Sequence, residues 1–226
     1  MSFNRRTLSR AAAALGAVAA LATALPALAA EPRVKFVTSE GEFVVEVYPD
    51  KAPKTVENFL QYVKDKHYDG TIFHRVIKSF MVQGGGYDKT YKEKPTRASV
   101  IHEGRQSLAK GLKNATGSVA MARTNDPHSA SSQFFINVVD NARLDPVLIP
   151  AGDPVTFEFQ GQTHKDIPRA NVINHPALFG YTVFGKVVSG MDTVEKIRNA
   201  PTGQGGPFPT DAPQKMVVIE SASLLK

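Results

Sequence analysis

Two stretches of this chain gather side chains suited to gripping another molecule. One runs Phe73-His74-Arg75-Val76-Ile77-Lys78-Ser79-Phe80-Met81-Val82-Gln83-Gly84-Gly85-Gly86. The other begins Gly117-Ser118-Val119-Ala120-Met121-Ala122-Arg123 and resumes at Ser132-Gln133-Phe134-Phe135-Ile136-Asn137. Between them they offer an arginine, a pair of carboxamides and several aromatic rings. If both are strands, alternation puts Met81 with Gln83 on one face and Gln133 with Phe135 on another, so two strands could jointly present an apolar patch edged by amides. A shallow apolar pocket with a few polar groups is by default a binding site. A structural reading stands beside it, with Phe73, Phe80, Phe134 and Phe135 as core and Arg75 as a surface or ion-pair residue, because aromatics usually fill cores.

Other chemistries lack their carriers. There is no Gly-x-Ser-x-Gly elbow and no His-Glu-x-x-His zinc motif; His102-Glu103 stands without its second histidine, and Gly84-Gly85-Gly86 lacks the Gly-Lys-Ser/Thr of a phosphate loop. The chain has no cysteine, which excludes disulfides, thiolate metal sites and cysteine-linked lipid. Stability must come from packing. With 226 residues, 42% of them hydrophobic, the chain suits one domain with a substantial core.

The elements that would position these residues can be read from periodicity. Val34–Thr38 and Glu42–Tyr48 approach strand alternation, with Phe43, Val45 and Val47 on one face and Ser39-Glu40-Gly41 as the turn between. Pro53 suits a first helical position, and Val56, Phe59, Leu60 and Val63 follow at i, i+3, i+4 and i+7, an amphipathic stripe fit to plug one end of a sheet structure. Further β-type runs lie at Thr71–Ile77, Phe80–Gln83, Gly117–Ala122, Gln133–Val138, Tyr181–Val188 and Met216–Ser221, separated by turn residues. Met191, Val194 and Ile197 mark a second helix, with Ser189 and Asp192 spaced like a capping box. Many short strands favour a barrel or sandwich. Residues 146–178, rich in Pro and Gly, break this rhythm and read as an inserted excursion with one alternating stretch, Val155 to Phe159.

Arg5, Arg6 and Arg10 precede an apolar run from Ala11 to Leu25, and Ala27-Leu28-Ala29 has the small-x-small form of a cleavage site. Residues 1–29 therefore read as a cleavable signal peptide and 30–226 as the mature domain; for a membrane anchor the run is short and alanine-rich. The arginine pair in Asn4-Arg5-Arg6-Thr7-Leu8 leaves the Sec and twin-arginine routes both open. Loss of those three arginines lowers the net charge from +6 by three, and so small an excess argues against an electrostatic nucleic-acid binder.

Taken as blocks in order, Phe73-His74-Arg75-Val76-Ile77 with Phe80-Met81-Val82-Gln83-Gly84-Gly85, then Met121-Ala122-Arg123-Thr124, Ser132-Gln133-Phe134-Phe135-Ile136-Asn137 and Val183-Phe184-Gly185-Lys186-Val187, the sequence resembles the cyclophilin family of peptidyl-prolyl cis/trans isomerases, particularly its bacterial members. The resemblance covers almost all of the mature chain outside 146–178, and several long blocks in register are specific where a lone short motif is not. It implies a mainly β fold, a closed eight-stranded antiparallel barrel capped by two α-helices, with the active groove on the outer face. It implies that Arg75 is the catalytic arginine, that Phe80, Met81, Phe135 and Leu144 wall a proline pocket, that Gln83 and Gln133 are groove amides, and that Ala122, Arg123 and Thr124 pair with substrate backbone. His74 reads as structural.

The activity so implied is isomerisation of X-Pro bonds in proline-containing polypeptide clients, aiding the folding of exported proteins in a bacterial periplasm, by a monomer with no metal, nucleotide or other cofactor and no membrane attachment after cleavage. A non-catalytic peptide-binding or holdase module on the same fold is the alternative; Arg75, Gln83 and Phe135 together favour the enzyme, because mere binding does not require the arginine. Two departures matter. Arg143 precedes Leu144 where many eukaryotic members carry a tryptophan associated with cyclosporin binding, so weak cyclosporin binding is expected. Tyr181 stands where those members carry a pocket histidine, as bacterial members often do, and its ring can still pack against proline. The excursion leaves beside Leu144, either as a plain surface loop or with Val155, Phe157 and Phe159 as a strand extending the groove.

Overall fold

The computed structural model describes residues 31–225; the signal-peptide reading and the export-route question lie outside the described residues. In chain order the elements are β1 (Arg33–Thr38), β2 (Gly41–Val47), α1 (Pro53–Lys64), β3 (Thr71–Ile77), β4 (Met81–Asp88), α2 (Gly104–Ala109), β5 (Ser118–Met121), β6 (Phe134–Asn137), β7 (Val155–Phe159), β8 (Gln162–Ile167), α3 (Arg169–Val172), β9 (Val183–Ser189), α4 (Met191–Arg198), β10 (Thr202–Gly205), β11 (Phe208–Pro213) and β12 (Ile219–Leu224).

Eight strands form one antiparallel sheet in the order β12-β1-β2-β9-β5-β6-β4-β3. Its two ends meet: Phe73 N–H donates to the Val217 carbonyl at 3.0 Å, Gly70 N–H donates to the Ile219 carbonyl at 2.8 Å, and Ile72 bridges to Val218. The sheet thus curls into a nearly closed barrel, which removes most of the exposed edge. Each of the eight β-type runs read from the sequence overlaps one of these strands.

Alternation decides what fills the barrel. Phe36, Phe43, Val45, Val47, Phe73, Val82, Phe134, Ile136 and Phe184 point inward and are essentially solvent-free. The α1 stripe closes one end with Val56, Phe59 and Val63 buried and Leu60 half-buried at its edge, while α4 contributes Val194 and Ile197. The capping box read at Ser189 and Asp192 is corrected: Ser189 ends β9, the cap residue is Gly190 with φ +77°, and no side-chain cap bond forms. A β-carbon at Gly190 would stand 2.2 Å from the Glu42 carbonyl oxygen, so close backbone packing, not a hydroxyl, sets that helix start.

Residues 146–178 carry the β7–β8 hairpin and α3, with a small core of their own made of Val155, Phe157, Val172 and Leu178. The two ends of the excursion return to one point, where Tyr181 N–H donates to the Leu144 carbonyl at 3.0 Å. Gly180 (φ +59°) makes that approach possible, since a β-carbon there would lie 2.5 Å from the Leu144 oxygen. The β10–β11 hairpin, which the periodicity did not reveal, lies outside the barrel with Phe208 against His74.

Candidate active site

The outer face of the sheet carries a straight row of side chains. Register pairs Arg75 with Gln83, Gln83 with Phe135, Phe135 with Ala120 and Ala120 with Val183, across β3, β4, β6, β5 and β9. Residues directly opposite in antiparallel strands share a face, so the row sets a cation, an amide and an aromatic ring side by side. A bulge makes this possible. Pairing in β3 slips by one between Phe73 and Arg75, so Phe73 enters the core while His74 and Arg75 both face outward; regular alternation would have put Phe73 and Arg75 on the same side.

Around this row lies a groove with a cavity of about 290 Å³. Its apolar floor joins Met81, Ala120, Phe135 and Val183, with Phe80, Leu144 and Tyr181 packed against them. The Phe135 and Tyr181 rings meet edge to face at 5.4 Å. Leu144 and Tyr181 come together across the whole excursion because its ends are tied at Gly180. Gln83 donates to the Gln133 carboxamide oxygen at 3.0 Å, and Gly86 leaves room for that chain, since a β-carbon there would stand 2.5 Å from Gln133 Cγ.

Arg75 is 42% exposed, with its Nε 3.8 Å from Asp211 Oδ2. Its guanidinium is thus open to the groove and held from one side by β11. Arg123 is committed differently: its Nε and Nη2 donate to the Gly180 carbonyl at 3.0 and 2.8 Å, and it stacks on Tyr181 at 4.8 Å. Ala122 donates its N–H to the Gln133 carbonyl at 2.9 Å. Arg143 stacks on Phe80 at 4.9 Å.

Of the residues singled out in the sequence, Arg75, Phe80, Met81, Gln83, Ala122, Arg123, Gln133, Phe135, Leu144 and Tyr181 all line this one groove. Thr124 does not; its N–H donates to Ser129 Oγ at 2.9 Å on an exposed loop beside it. The groove also takes in His74, Tyr87 and Phe208. Tyr87 shares β4 with Met81 and Gln83 and could have been found as an aromatic of the same strand, although Gly85 turns inward and interrupts the alternation between them. Phe208 and Asp211 arrive on a Gly- and Pro-rich hairpin with no such signal.

His74 is 2% exposed between the rings of Tyr87 and Phe208. Burial first, then the neighbouring Arg75 charge, push its pKa down to about 4 against a bond with the Ile72 backbone. It is a neutral packing element at neutral pH. Among the described residues no three His, Asp or Glu side chains converge as a metal site. The groove can hold an apolar ring beside a fixed cation.

A nearly closed antiparallel barrel with such a groove on its outer wall defines a class of small β-barrels with an external apolar cleft, and comparison with known proteins narrows it. The family model "Cyclophilin type peptidyl-prolyl cis-trans isomerase/CLD" matches residues 33–224. Peptidyl-prolyl cis-trans isomerase B of Escherichia coli K12 is 42% identical over 84% of this chain and 98% of that protein. Peptidyl-prolyl cis-trans isomerase cyp18 of Streptomyces antibioticus is 45% identical over 85% and 98%. A crystal structure of a Cryptosporidium parvum cyclophilin type isomerase, determined in the presence of the dipeptide Ala-Pro, shares the fold with a TM-score of 0.55 at 22% identity, covering 86% of this chain and 99% of that one. The chain belongs to the cyclophilin type peptidyl-prolyl cis-trans isomerase family.

Proposed function

We propose that this isomerase acts on X-Pro bonds of polypeptides exported to a bacterial periplasm, with Arg75 as its catalytic residue. The observation that carries the reading is the half-exposed Arg75 guanidinium standing in one cross-strand row with Gln83 and Phe135 at the edge of an apolar groove.

Amide resonance puts a barrier of about 18–20 kcal/mol on rotation about the peptide C–N bond, and uncatalysed X-Pro exchange takes tens to hundreds of seconds. As the bond twists, the proline nitrogen pyramidalises and its lone pair leaves the carbonyl. A guanidinium that donates to that nitrogen disfavours renewed delocalisation and stabilises the twisted state, with no proton transferred and no covalent bond formed. Phe80, Met81, Phe135, Leu144 and Tyr181 hold the pyrrolidine ring, while Gln83, Gln133 and the backbone at Ala122 and Arg123 hold the chain beside it. One side stays fixed as the other rotates. Binding the twisted geometry better than either planar isomer accelerates exchange in both directions.

Arg75→Ala leaves a folded protein and lowers kcat/KM on a proline peptide by ~10²-fold or more, the scale of one transition-state donor. Exchange NMR on the mature chain measures this, and full activity in the variant would remove Arg75 from the mechanism. Arg143 stacked on Phe80 in place of a tryptophan supports weak cyclosporin binding; a nanomolar Kd in a titration overturns it. The leader motif and the absence of cysteine support export and cleavage before Ala30 or Glu31, read by the mass of the protein recovered from a periplasmic fraction. Sedimentation of that material tests the monomer.

A further inference from the structure

Directly behind the Leu144 wall lies a second cleft, between the turn Ala142–Leu144 and the β7–β8 hairpin, with a cavity of about 510 Å³. The partition is one residue thick: Leu144 faces the first groove, while its neighbours Arg143 and Asp145 line the second. The far wall comes from Leu148, Phe157, Glu158 and Phe159. Val155, which the sequence placed in the same strand face, turns instead into the excursion's own core with most of Phe157. What remains open is an apolar surface in which Leu148 is 48% exposed.

The charged groups of this cleft are already engaged. Asp145 Oδ1 accepts from the N–H and the carboxamide of Asn114 at 2.7 and 2.9 Å, Glu158 accepts from the Thr163 hydroxyl, and Arg143 lies over Phe80. The wall is also fixed in place. Arg105 donates to the carbonyls of Val147 and Ile173 at 3.0 and 2.6 Å and stacks on Phe179, pinning both ends of the excursion to α2. A preformed apolar cleft loses little ordering entropy on binding.

We propose that this cleft is a second subsite of the enzyme, taking an apolar side chain of the same client whose proline occupies the first groove. The inference rests on the isomerase reading above. Continuity argues for one occupant of both clefts: the partition is a single turn, and an extended chain advances roughly 3.3–3.6 Å per residue, so a side chain three to five residues from the proline falls past Leu144. The excursion then acts as a specificity element, selecting among proline-bearing segments by a leucine-like residue at a set distance, and short peptides do not sense it.

The test uses the mature chain and two kinds of substrate. One is a tetrapeptide with a central Ala-Pro. The others are extended peptides with leucine or serine at three, four or five residues from the proline, on either side. By exchange NMR, at least one leucine peptide has a KM about five- to tenfold below its serine counterpart, the scale of partly burying one such side chain, with kcat unchanged. Leu148→Glu and, independently, Phe159→Ser abolish that difference and leave tetrapeptide turnover at the parent level. Equal KM across every leucine–serine pair in the parent overturns the subsite, as does a leucine preference that survives in both folded variants. Absence of tetrapeptide turnover in the parent refutes the isomerase reading instead, and the subsite with it.

Discussion

His74 and Arg75 are chain neighbours sent to the same side of β3 by one bulge, and they meet opposite fates. Arg75 stays half-exposed, and its 3.8 Å pairing with Asp211 is of the open kind that orients a side chain more than it stabilises a fold. His74 is sealed under Phe208 and Tyr87, and burial lowers its pKa to about 4 from the ordinary 6.5. Between those two values the unfolded chain takes up a proton that the folded chain refuses. Unfolding therefore absorbs protons in that window, and stability falls as pH drops from 6.5 towards 4, by up to ~3 kcal/mol for this group. Above pH 6.5 both states are neutral and the effect vanishes. His74→Phe keeps a ring and removes the titratable nitrogens, so whatever its cost at pH 7 it flattens that part of the acid limb in urea midpoints taken at pH 7 and pH 4.5; a variant curve running parallel to the parent's refutes the assignment. The motif around these two residues was legible through its resemblance to a known family, not through alternation, which the bulge breaks at this place, whereas Phe208 and Asp211 reach it only through tertiary contact.

Among the elements, α1 shows how far a helix can reach for its cap. Ala52 offers no side chain to the first turn. Glu103, some fifty residues on, accepts from Lys54 N–H at 3.1 Å, Thr55 N–H at 2.8 Å and the Thr55 hydroxyl at 2.8 Å, and places its charge at the positive end of the helix. In the isolated His102-Glu103 pair, meaningless as a metal motif, it is Glu103 that has this structural task. Glu103→Ala should cost about 2–3 kcal/mol, by the loss of a cap and the stranding of buried donors; an unchanged urea midpoint would show that water replaces the carboxylate at no cost. Long-range capping leaves no local trace, and the short-range signal at Ser189 and Asp192 misled for the complementary reason: three-residue spacing is common, while backbone crowding at Gly190 is invisible in one dimension. β1, β2 and both end-closing helices were legible because each buries one face and so carries its period, whereas β5 and β6 are buried on both faces and showed only as short apolar runs between turn residues. The β10–β11 hairpin buries little of either face, and its run Thr202-Gly203-Gln204-Gly205-Gly206-Pro207 reads as loop.

For the whole molecule, a barrel this small has its interior consumed by packing, which forces the chemistry onto the outer wall. Phe134 and Phe135 stand next to each other in β6 and divide those roles. The Phe134 ring is solvent-free, with centroids at 5.5 Å from Phe36 and Tyr68, 6.1 Å from Phe73 and 6.2 Å from Phe59. Phe135 points the other way, edge-on to Tyr181 in the groove. Truncating Phe134 opens a cavity that close-packed neighbours cannot refill, at about 3–5 kcal/mol, which lowers Tm by roughly 6–20 °C for a chain of this size. Phe135 walls the cleft but is itself only 4% exposed, so Phe135→Ala also costs stability; at temperatures where it is folded it loses proline-peptide turnover, while Phe134→Ala keeps turnover at temperatures where it is folded. Parallel melts and exchange rates on the two variants separate the faces of the barrel. Were Phe135→Ala to retain full activity while Phe134→Ala lost it in the folded state, the site would have to lie inside the barrel, where the aromatic core leaves no room for a peptide.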